Sequence, residues 1–275
     1  MKKLRSKIAV ILLIIVSAVF IFPVFTVLMN SFKNKLYISS EPFALPTPET
    51  FAGLLNYTEG LEKTGFFSAF LTSLFVTVLS VGAIVIFTSM TAWYITRVKN
   101  TFTKLSYFAF VFSMVVPFQM VMFTTVKIAN ALSLDNPLGL VVIYLGFGSG
   151  LSVFMFSGFV KGIPIEIEEA AMIDGCGPIR TFFLVVFPLM KPTTITVAII
   201  NAMWIWNDYL LPYLIIGSDY KTIPIAIQYL RGGYGSIDMG AMMAMLVLSI
   251  LPIIIFYLLC QKHIIKGVVA GAVKG

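Results

Sequence analysis

Hydrophobic positions in this chain come in long unbroken runs rather than the one-sided stripes of half-buried elements. Six runs lie near Ile8–Met29, Ala69–Tyr94, Leu105–Val126, Leu138–Val160, Pro192–Ile216 and Met239–Cys260. Each approaches or exceeds the roughly 20 residues that a helix needs to cross about 30 Å of hydrocarbon. Only the fifth carries a formal charge, Asp208. None shows the alternation, about 10 residues long, of a membrane barrel strand, so the pattern predicts helices. The expected fold class is an all-α polytopic membrane protein with six transmembrane helices.

Composition points the same way. Of 275 residues, 59% are hydrophobic and 11% charged, too few charges to cover a soluble globule of this size. The first run follows the basic arm Lys2-Lys3-Leu4-Arg5-Ser6-Lys7 and has the look of a secretory signal. It is long and lacks a clear small-residue cleavage site, so it is expected to be retained as a helix. Cys176 and Cys260 lie in different segments and His263 is the sole histidine, which argues against a disulfide framework or a metal site.

The net charge of +7 is dispersed and is assigned to orientation rather than to nucleic acid. Thirteen basic residues fall on one side of the predicted spans: the N-terminal arm, Arg97, Lys99 and Lys104, Lys161, Arg180 and Lys191, and Lys262, Lys266 and Lys274. Six fall on the other: Lys33, Lys35, Lys63, Lys127, Lys221 and Arg231. The positive-inside bias places both termini in the cytoplasm, as an even number of spans requires. The outer segments are then about 30–68, 127–137 and 217–238. The first, with Pro42, Pro46 and Pro48, reads as an extended external lobe. Its Asn56-Tyr57-Thr58 triplet fits a glycosylation sequon but carries no weight alone.

The loop between the fourth and fifth spans, about 161–191, is the most informative. Pro164 suits a helix start, Glu166, Glu168 and Glu169 favour its positive end, and Gly175 suits its stop. Gly177-Pro178 then opens a second apolar helix that ends near Pro188. Two short helices joined by a glycine corner are predicted. Ala170 and Ala171 give the first a flat side that another protein surface can approach. The alternative is a lipid-interface loop that caps its own bundle.

Glu169-Ala170-Ala171, three residues, Gly175, nine residues, then Val185-x-Phe187-Pro188 resembles the EAA signature of ABC importer permeases; Asp174 before the glycine is also typical. Val185 and Phe187 depart conservatively from the usual Ile and Leu. Trp204-Ile-Trp206-Asn207-Asp208-Tyr-Leu-Leu-Pro212, the tail Lys266–Gly275, Leu45-Pro46 and Asn56-Tyr57 are similar to the carbohydrate branch, most of all to the shorter permease of maltose-type importers. Thr72-Ser73 stands where that branch usually has Asn-Ser.

The resemblance implies a type I ABC importer permease fold in one transmembrane permease domain, residues 1–275 with a core of about 69–262, in a bacterial cytoplasmic (inner) membrane. It implies a homologous second permease, two ABC ATPase subunits and an extracytoplasmic sugar-binding protein as partners, with a carbohydrate, by expectation an oligosaccharide, as cargo. No G-x-x-x-x-G-K-[ST] run occurs, so the chain is expected to be a non-catalytic subunit, with ATP and Mg on its partners and no cofactor of its own. In the family the EAA loop enters a cleft on an ATPase. Glu169, Ala170, Ala171, Asp174, Gly175 and Pro188 are the coupling residues so implied. The Lys/Gly tail either touches the ATPases or is a solvated positive-inside tail.

For the substrate path, Asn201, Trp204, Asn207 and Asp208 are related by i, i+3, i+4 and i+7 steps and are expected on roughly one face of span five. Aromatic rings stack on sugars, and Asn and Asp bind hydroxyls. Packing against the sister permease, or an interfacial belt for the tryptophans, would use the same residues. Gln119, after Pro117, is a further candidate. Gly146, Gly148 and Gly150 are read as close-packing or bending positions, and Pro23, Pro117 and Pro252 as possible kinks. The rival function is an ion-coupled secondary transporter of a small polar solute. It would want several buried acids, and the spans offer only Asp208.

Overall fold

A computed structural model describes residues 2–217, 219–230 and 238–272, with side chains for 7–217, 219–230 and 238–261. Arg231 and the side chains of His263 and of the Lys266–Gly275 tail lie outside that description. The elements in chain order are α1 Lys2–Asn30, α2 Lys35–Ile38, α3 Leu55–Thr64, α4 Phe66–Arg97, α5 Thr101–Ser113, α6 Phe118–Ala131, α7 Pro137–Val160 and α8 Ile165–Ile173. They continue with α9 Pro178–Thr181, a π-turn Phe182–Val186, α10 Phe187–Leu189, α11 Lys191–Asn207, α12 Leu210–Ile216, α13 Ile223–Tyr229 and α14 Met239–Ala272. Among the described residues the only β pairing is one isolated bridge, Lys33 to Phe51.

Four helices are single pieces long and apolar enough to cross a bilayer: α1, α4, α7 and α14. Two further candidates are bent pairs, each of them a broken span or a re-entrant loop. The segment Thr101–Ser113 meets Phe118–Ala131 at 108°, and Pro178–Leu189 meets Lys191–Asn207 at 79°. The count of six holds when each bent pair is one crossing. The expected span Leu105–Val126 bends beside Pro117, one of the positions read as a kink, and the expected span Pro192–Ile216 is corrected: α11 ends at Asn207, and its bent partner is Pro178–Leu189.

Prolines account for the breaks. A helical proline cannot donate to the carbonyl four residues back, and its ring collides with that carbonyl. Four residues before Pro117 is Ser113, the last residue of α5. Four before Pro212 is Asp208, where α11 has just ended and the backbone is extended, with φ −73° and ψ 125°. Four before Pro188 is Leu184, inside the π-turn, where Phe187 N–H reaches back five residues to the Phe182 carbonyl. Pro23 and Pro252, by contrast, lie inside helices that continue past them.

The chain forms two compact units, Met1–Ala69 with Ile223–Ile254, and Phe70–Thr222 with Ile255–Gly275. In the first, the segment from about 30 to 68 is ordered by polar contacts. Asn56 is buried and donates from Nδ2 to the Ser31 and Lys33 carbonyls at 2.8 and 2.7 Å, so the sequon asparagine is a structural strut. Buried Lys33 donates to the Glu41 carbonyl at 2.7 Å. Exposed Lys63 clasps both Glu59, at 2.5 Å, and Asp238, at 2.6 Å.

The second unit holds an apolar core built on Ile84, Leu140, Tyr144, Val153, Phe156, Phe182, Val197 and Leu211. Two glycines let its helices close up. A Cβ on Gly148 would lie 2.6 Å from Ile84 Cδ1 and 2.9 Å from Asn201 Oδ1, and one on Gly150 would lie 2.7 Å from the Phe110 carbonyl oxygen. Gly146 has nothing within 4 Å and takes no part in close packing.

Two predictions follow from this geometry. Gly148→Leu should lower the thermal stability of the purified protein by about 1–3 kcal/mol, as overpacking does, whereas Gly146→Ala should be neutral or slightly stabilising. Equal effects at both positions would contradict the packing described. The Lys63 clasp should be pH-dependent. Hydrogen bonds to Asp238 and then Glu59 hold the Lys63 ammonium above its usual 10.5. At Asp238 burial works against the charge, but the bonds from Lys63 and Ala241 N–H outweigh it and bring the carboxyl below 3.8. The clasp therefore contributes fully between those ordinary values, fading as pH falls through the lowered Asp238 value or rises through the raised Lys63 one. Because the pair is exposed, its worth is about 1 kcal/mol or less. Hydrogen exchange in α3 should show an acid limb that Asp238→Asn abolishes.

Candidate functional site

The loop from Lys161 to Lys191 folds as two short helices around a glycine corner. Pro164 is the residue before α8, with φ −57° and ψ 135°, so Ile165 takes the first helical position. The stop is at Gly175, whose φ of +86° lies in the left-handed region. Cys176 N–H bonds the Ala171 carbonyl and Gly175 N–H bonds that of Met172, both at 3.0 Å. This is the Schellman closure, which satisfies the last carbonyls of the helix. A Cβ at Gly175 would meet nothing within 4 Å, so backbone conformation rather than crowding selects glycine there. Pro178 then opens α9.

The exposed side of α8 and the corner presents Ala170, Met172, Ile173 and Ile179 beside Glu166, Glu169 and Asp174. Ile173 is 86% exposed. Glu169, Ala170, Asp174 and Gly175 thus share an open surface with apolar neighbours, and Ala171 is half-buried. Pro188 stands apart, beyond the π-turn.

One residue of α8 faces inward, and it is a charge. Glu168 is 1% exposed. Its Oε1 accepts from Arg97 Nε at 2.9 Å and Nη2 at 2.7 Å, and its Oε2 accepts from Trp93 Nε1 at 2.9 Å. Arg97 Nη2 also donates to the Ile163 carbonyl at 2.9 Å. The Trp93 ring lies 5.4 Å from that of Phe182, past the corner. The end of α4 is thereby fastened to the start of α8 and to the helix that follows. Sequence reasoning missed this clamp, counting Arg97 only as an orientation charge. The available signal was an inverted pattern: isoleucines of α8 end up outside and one of its acids inside.

The expected face on span five is partly assembled and partly corrected. Asn201 is buried, donating to the Ser152 hydroxyl at 3.2 Å and the Val197 carbonyl at 2.8 Å. Trp204 meets the Tyr144 ring edge-on at 5.3 Å and remains 40% exposed. Asp208 does not continue the face, because Pro212 ends the helix before it. Its Oδ2 accepts from Tyr144 Oη at 3.0 Å and its Oδ1 from Leu210 N–H at 3.1 Å, so both oxygens are engaged in holding the break. Asn207 is exposed and bonds back to the Met203 carbonyl, away from this group. Gln119 sits exposed at the start of α6 and makes no hydrogen bond to the cluster among the described residues. Tyr144, on α7, is the organising residue that the sequence pattern did not single out.

Comparison with known proteins shows what the chain is similar to. Residues 86–269 match the family described as "Binding-protein-dependent transport system inner membrane component". The chain is 41% identical to the "Probable starch degradation products transport system permease protein AmyC" of Thermoanaerobacterium thermosulfurigenes, over 95% of this chain and 94% of that one. It is 35% identical to the "Multiple sugar-binding transport system permease protein MsmG" of Streptococcus mutans, over 96% and 95%. In fold it is similar to a chain of a bacterial ABC transporter "involved in the import of the acidic polysaccharide alginate", with a TM-score of 0.77 at 20% identity, covering 94% of this chain and 96% of that one.

The clamp makes a quantitative prediction. Removing one partner of a buried ion pair strands the other, at a cost of about 3–5 kcal/mol. Arg97→Gln and Glu168→Gln should each destabilise by that order, and the double variant by clearly less than their sum. A double-mutant cycle on the purified protein measures this, and simple additivity would rule the clamp out.

Proposed function

The chain belongs to the binding-protein-dependent transport system inner membrane components, as a carbohydrate-uptake ABC importer permease of the bacterial inner membrane, and from that premise we propose how it works. Its two compact units act as one permease domain with both termini in the cytoplasm. It pairs with a homologous permease, and two ATPase subunits that bind ATP and Mg dock beneath. An extracytoplasmic binding protein delivers an oligosaccharide from outside. The names of the relatives support that cargo: AmyC for starch degradation products, and a structural neighbour whose transporter imports alginate. An ion-coupled mechanism is disfavoured by the family assignment and by an Asp208 whose oxygens are both engaged.

The observation that carries the coupling proposal is the build of α8. Its outer surface, with Glu169, Ala170 and the exposed Ile173, is free to enter a partner's cleft, while Glu168 on its inner side is tied to Arg97. A push on the outer surface passes through that ion pair into α4, and through Trp93 and Phe182 into the helix ahead of Pro188. Ala171 keeps the flank slim, and Asp174 with Gly175 closes the helix so that the load does not unwind it. Along the path, Trp204, Asn207 and Gln119 are exposed enough to meet sugar, whereas Asp208 positions Tyr144 against Trp204 and Asn201 ties α11 to Ser152 of α7.

Reconstituting the assembled importer with its binding protein tests both parts. Oligosaccharides should stimulate ATP hydrolysis and uptake, and stimulation by monosaccharides alone would remove the oligosaccharide assignment. Gly175→Val forces a β-branched residue to φ +86°, a strain of about 1–3 kcal/mol, and should sharply reduce sugar-stimulated ATPase activity and uptake. Gly175→Asn, which tolerates left-handed backbone, should keep most of both. Equal activity of the two variants would sink the corner's role in coupling.

A further inference from the structure

One feature that the transport reading leaves unused is an open cavity of about 590 Å³ where α4 ends, α5 begins and α7 ends. Lys99, Lys104 and Lys161 line it together with Asn100, Tyr107 and Ser157. No acidic residue is among its lining residues, and none of the three lysines forms an ion pair among the described residues. Lys161 Nζ lies 5.4 Å from the centre of the Tyr107 ring, which places one ammonium over the aromatic wall. The first turn of α5 opens onto the same space and adds the positive end of a helix.

Ser157 supplies an independent sign. The residue is 1% exposed, and its Oγ has no hydrogen-bond partner among the described residues. A buried hydroxyl without a partner is costly, and a bound acceptor in the cavity it lines would relieve that cost. Three uncompensated ammonium groups, a helix start and a vacant hydroxyl together ask for an anion with several acceptor oxygens, which is the chemistry of a phosphate.

The surroundings decide which phosphate. Phe102, Leu105 and Phe108 on α5 and Tyr94 on α4 are exposed large hydrophobics immediately beside the basic lining. A free phosphate would make no use of them. A molecule with a phosphate at one end and hydrocarbon at the other would use both, its chains lying along α5. We propose that the Lys99–Lys104–Lys161 cavity is a binding site for the phosphate headgroup of an anionic glycerophospholipid, in the leaflet on the coupling-loop side. The site lies at the membrane surface and does not depend on how α8 meets its partner.

The test uses the full chain in its purified assembly, with lipid retention read by native mass spectrometry after exchange into a mixture of phosphatidylglycerol and phosphatidylcholine. The wild type should retain phosphatidylglycerol selectively. The triple variant Lys99→Gln/Lys104→Gln/Lys161→Gln should lose that preference on the order of 100-fold, from three headgroup contacts. Lys127→Gln, away from the cavity, should leave it unchanged and serve as the folding and charge control. Ser157→Ala should weaken retention measurably without altering the phosphatidylcholine signal. Equal retention of the two lipids by the wild type would overturn the proposal. Displacement of the lipid by excess inorganic phosphate would also overturn it, by assigning the cavity to a soluble anion. Unchanged phosphatidylglycerol retention in the triple variant with loss of the ATPase subunits would overturn it in favour of a protein contact.

Discussion

In hydrocarbon a backbone carbonyl has no water to fall back on, so a helix can be interrupted only where something else serves the groups it leaves behind. The interruptions in this chain obey that constraint closely. Pro117, Pro188 and Pro212 each deprive the carbonyl four residues earlier of its donor, and at each the chain answers differently. Near Pro117 it turns through 108°. Before Pro188 it widens into a π-turn that moves the bond one residue along. Before Pro212 it breaks and lets Asp208 bond the first amides of α12. The end of α5, the end of α11 and the π-turn before Pro188 follow from this single rule.

The same constraint explains why the loop that carries α8 is anchored by a charge. A short helix at the edge of the bundle has little apolar area to bury, and most isoleucines of α8 face outward. A carboxylate with three donors supplied by Arg97 and Trp93 gives a directional attachment that hydrophobic contact cannot. Burying such a pair is seldom a net gain in stability. Its value here is geometric, because it fixes the orientation of α8 on α4 while leaving the other side free.

Much of the fold was legible in the chain. The long apolar runs identify the crossing segments because lipid tolerates almost nothing else, and the Pro164, Gly175 and Pro178 punctuation of the loop reflects local backbone preferences that act without tertiary help. What could not be read depends on distant partners. Glu168 and Glu169 are adjacent and chemically alike, yet one is clamped and the other is free, and only the position of Arg97, some 70 residues earlier, separates them. The supposed face of span five failed at Asp208 because helical spacing was carried past Pro212's reach. Tyr144 was overlooked because a tyrosine in an apolar run looks like any other core residue until its hydroxyl is seen to hold Asp208.

Helix α1 differs in kind from the rest. From Lys7 to Phe25 every side chain is exposed, and no part of its apolar window is buried against the chain. In the core of the second unit residues are constrained by the particular neighbours they touch, as Gly148 is by Ile84 and Asn201. Up to Ile21 every described side chain of α1 stays exposed, and its first ring contact is Phe22 on Phe43, so the order of leucines, isoleucines and valines before that point carries almost no structural information. Within the chain alone, composition and length are what this segment specifies. It should tolerate permutation of its residues far better than substitution of any one by a charge, and any restriction on their order would be the imprint of another subunit.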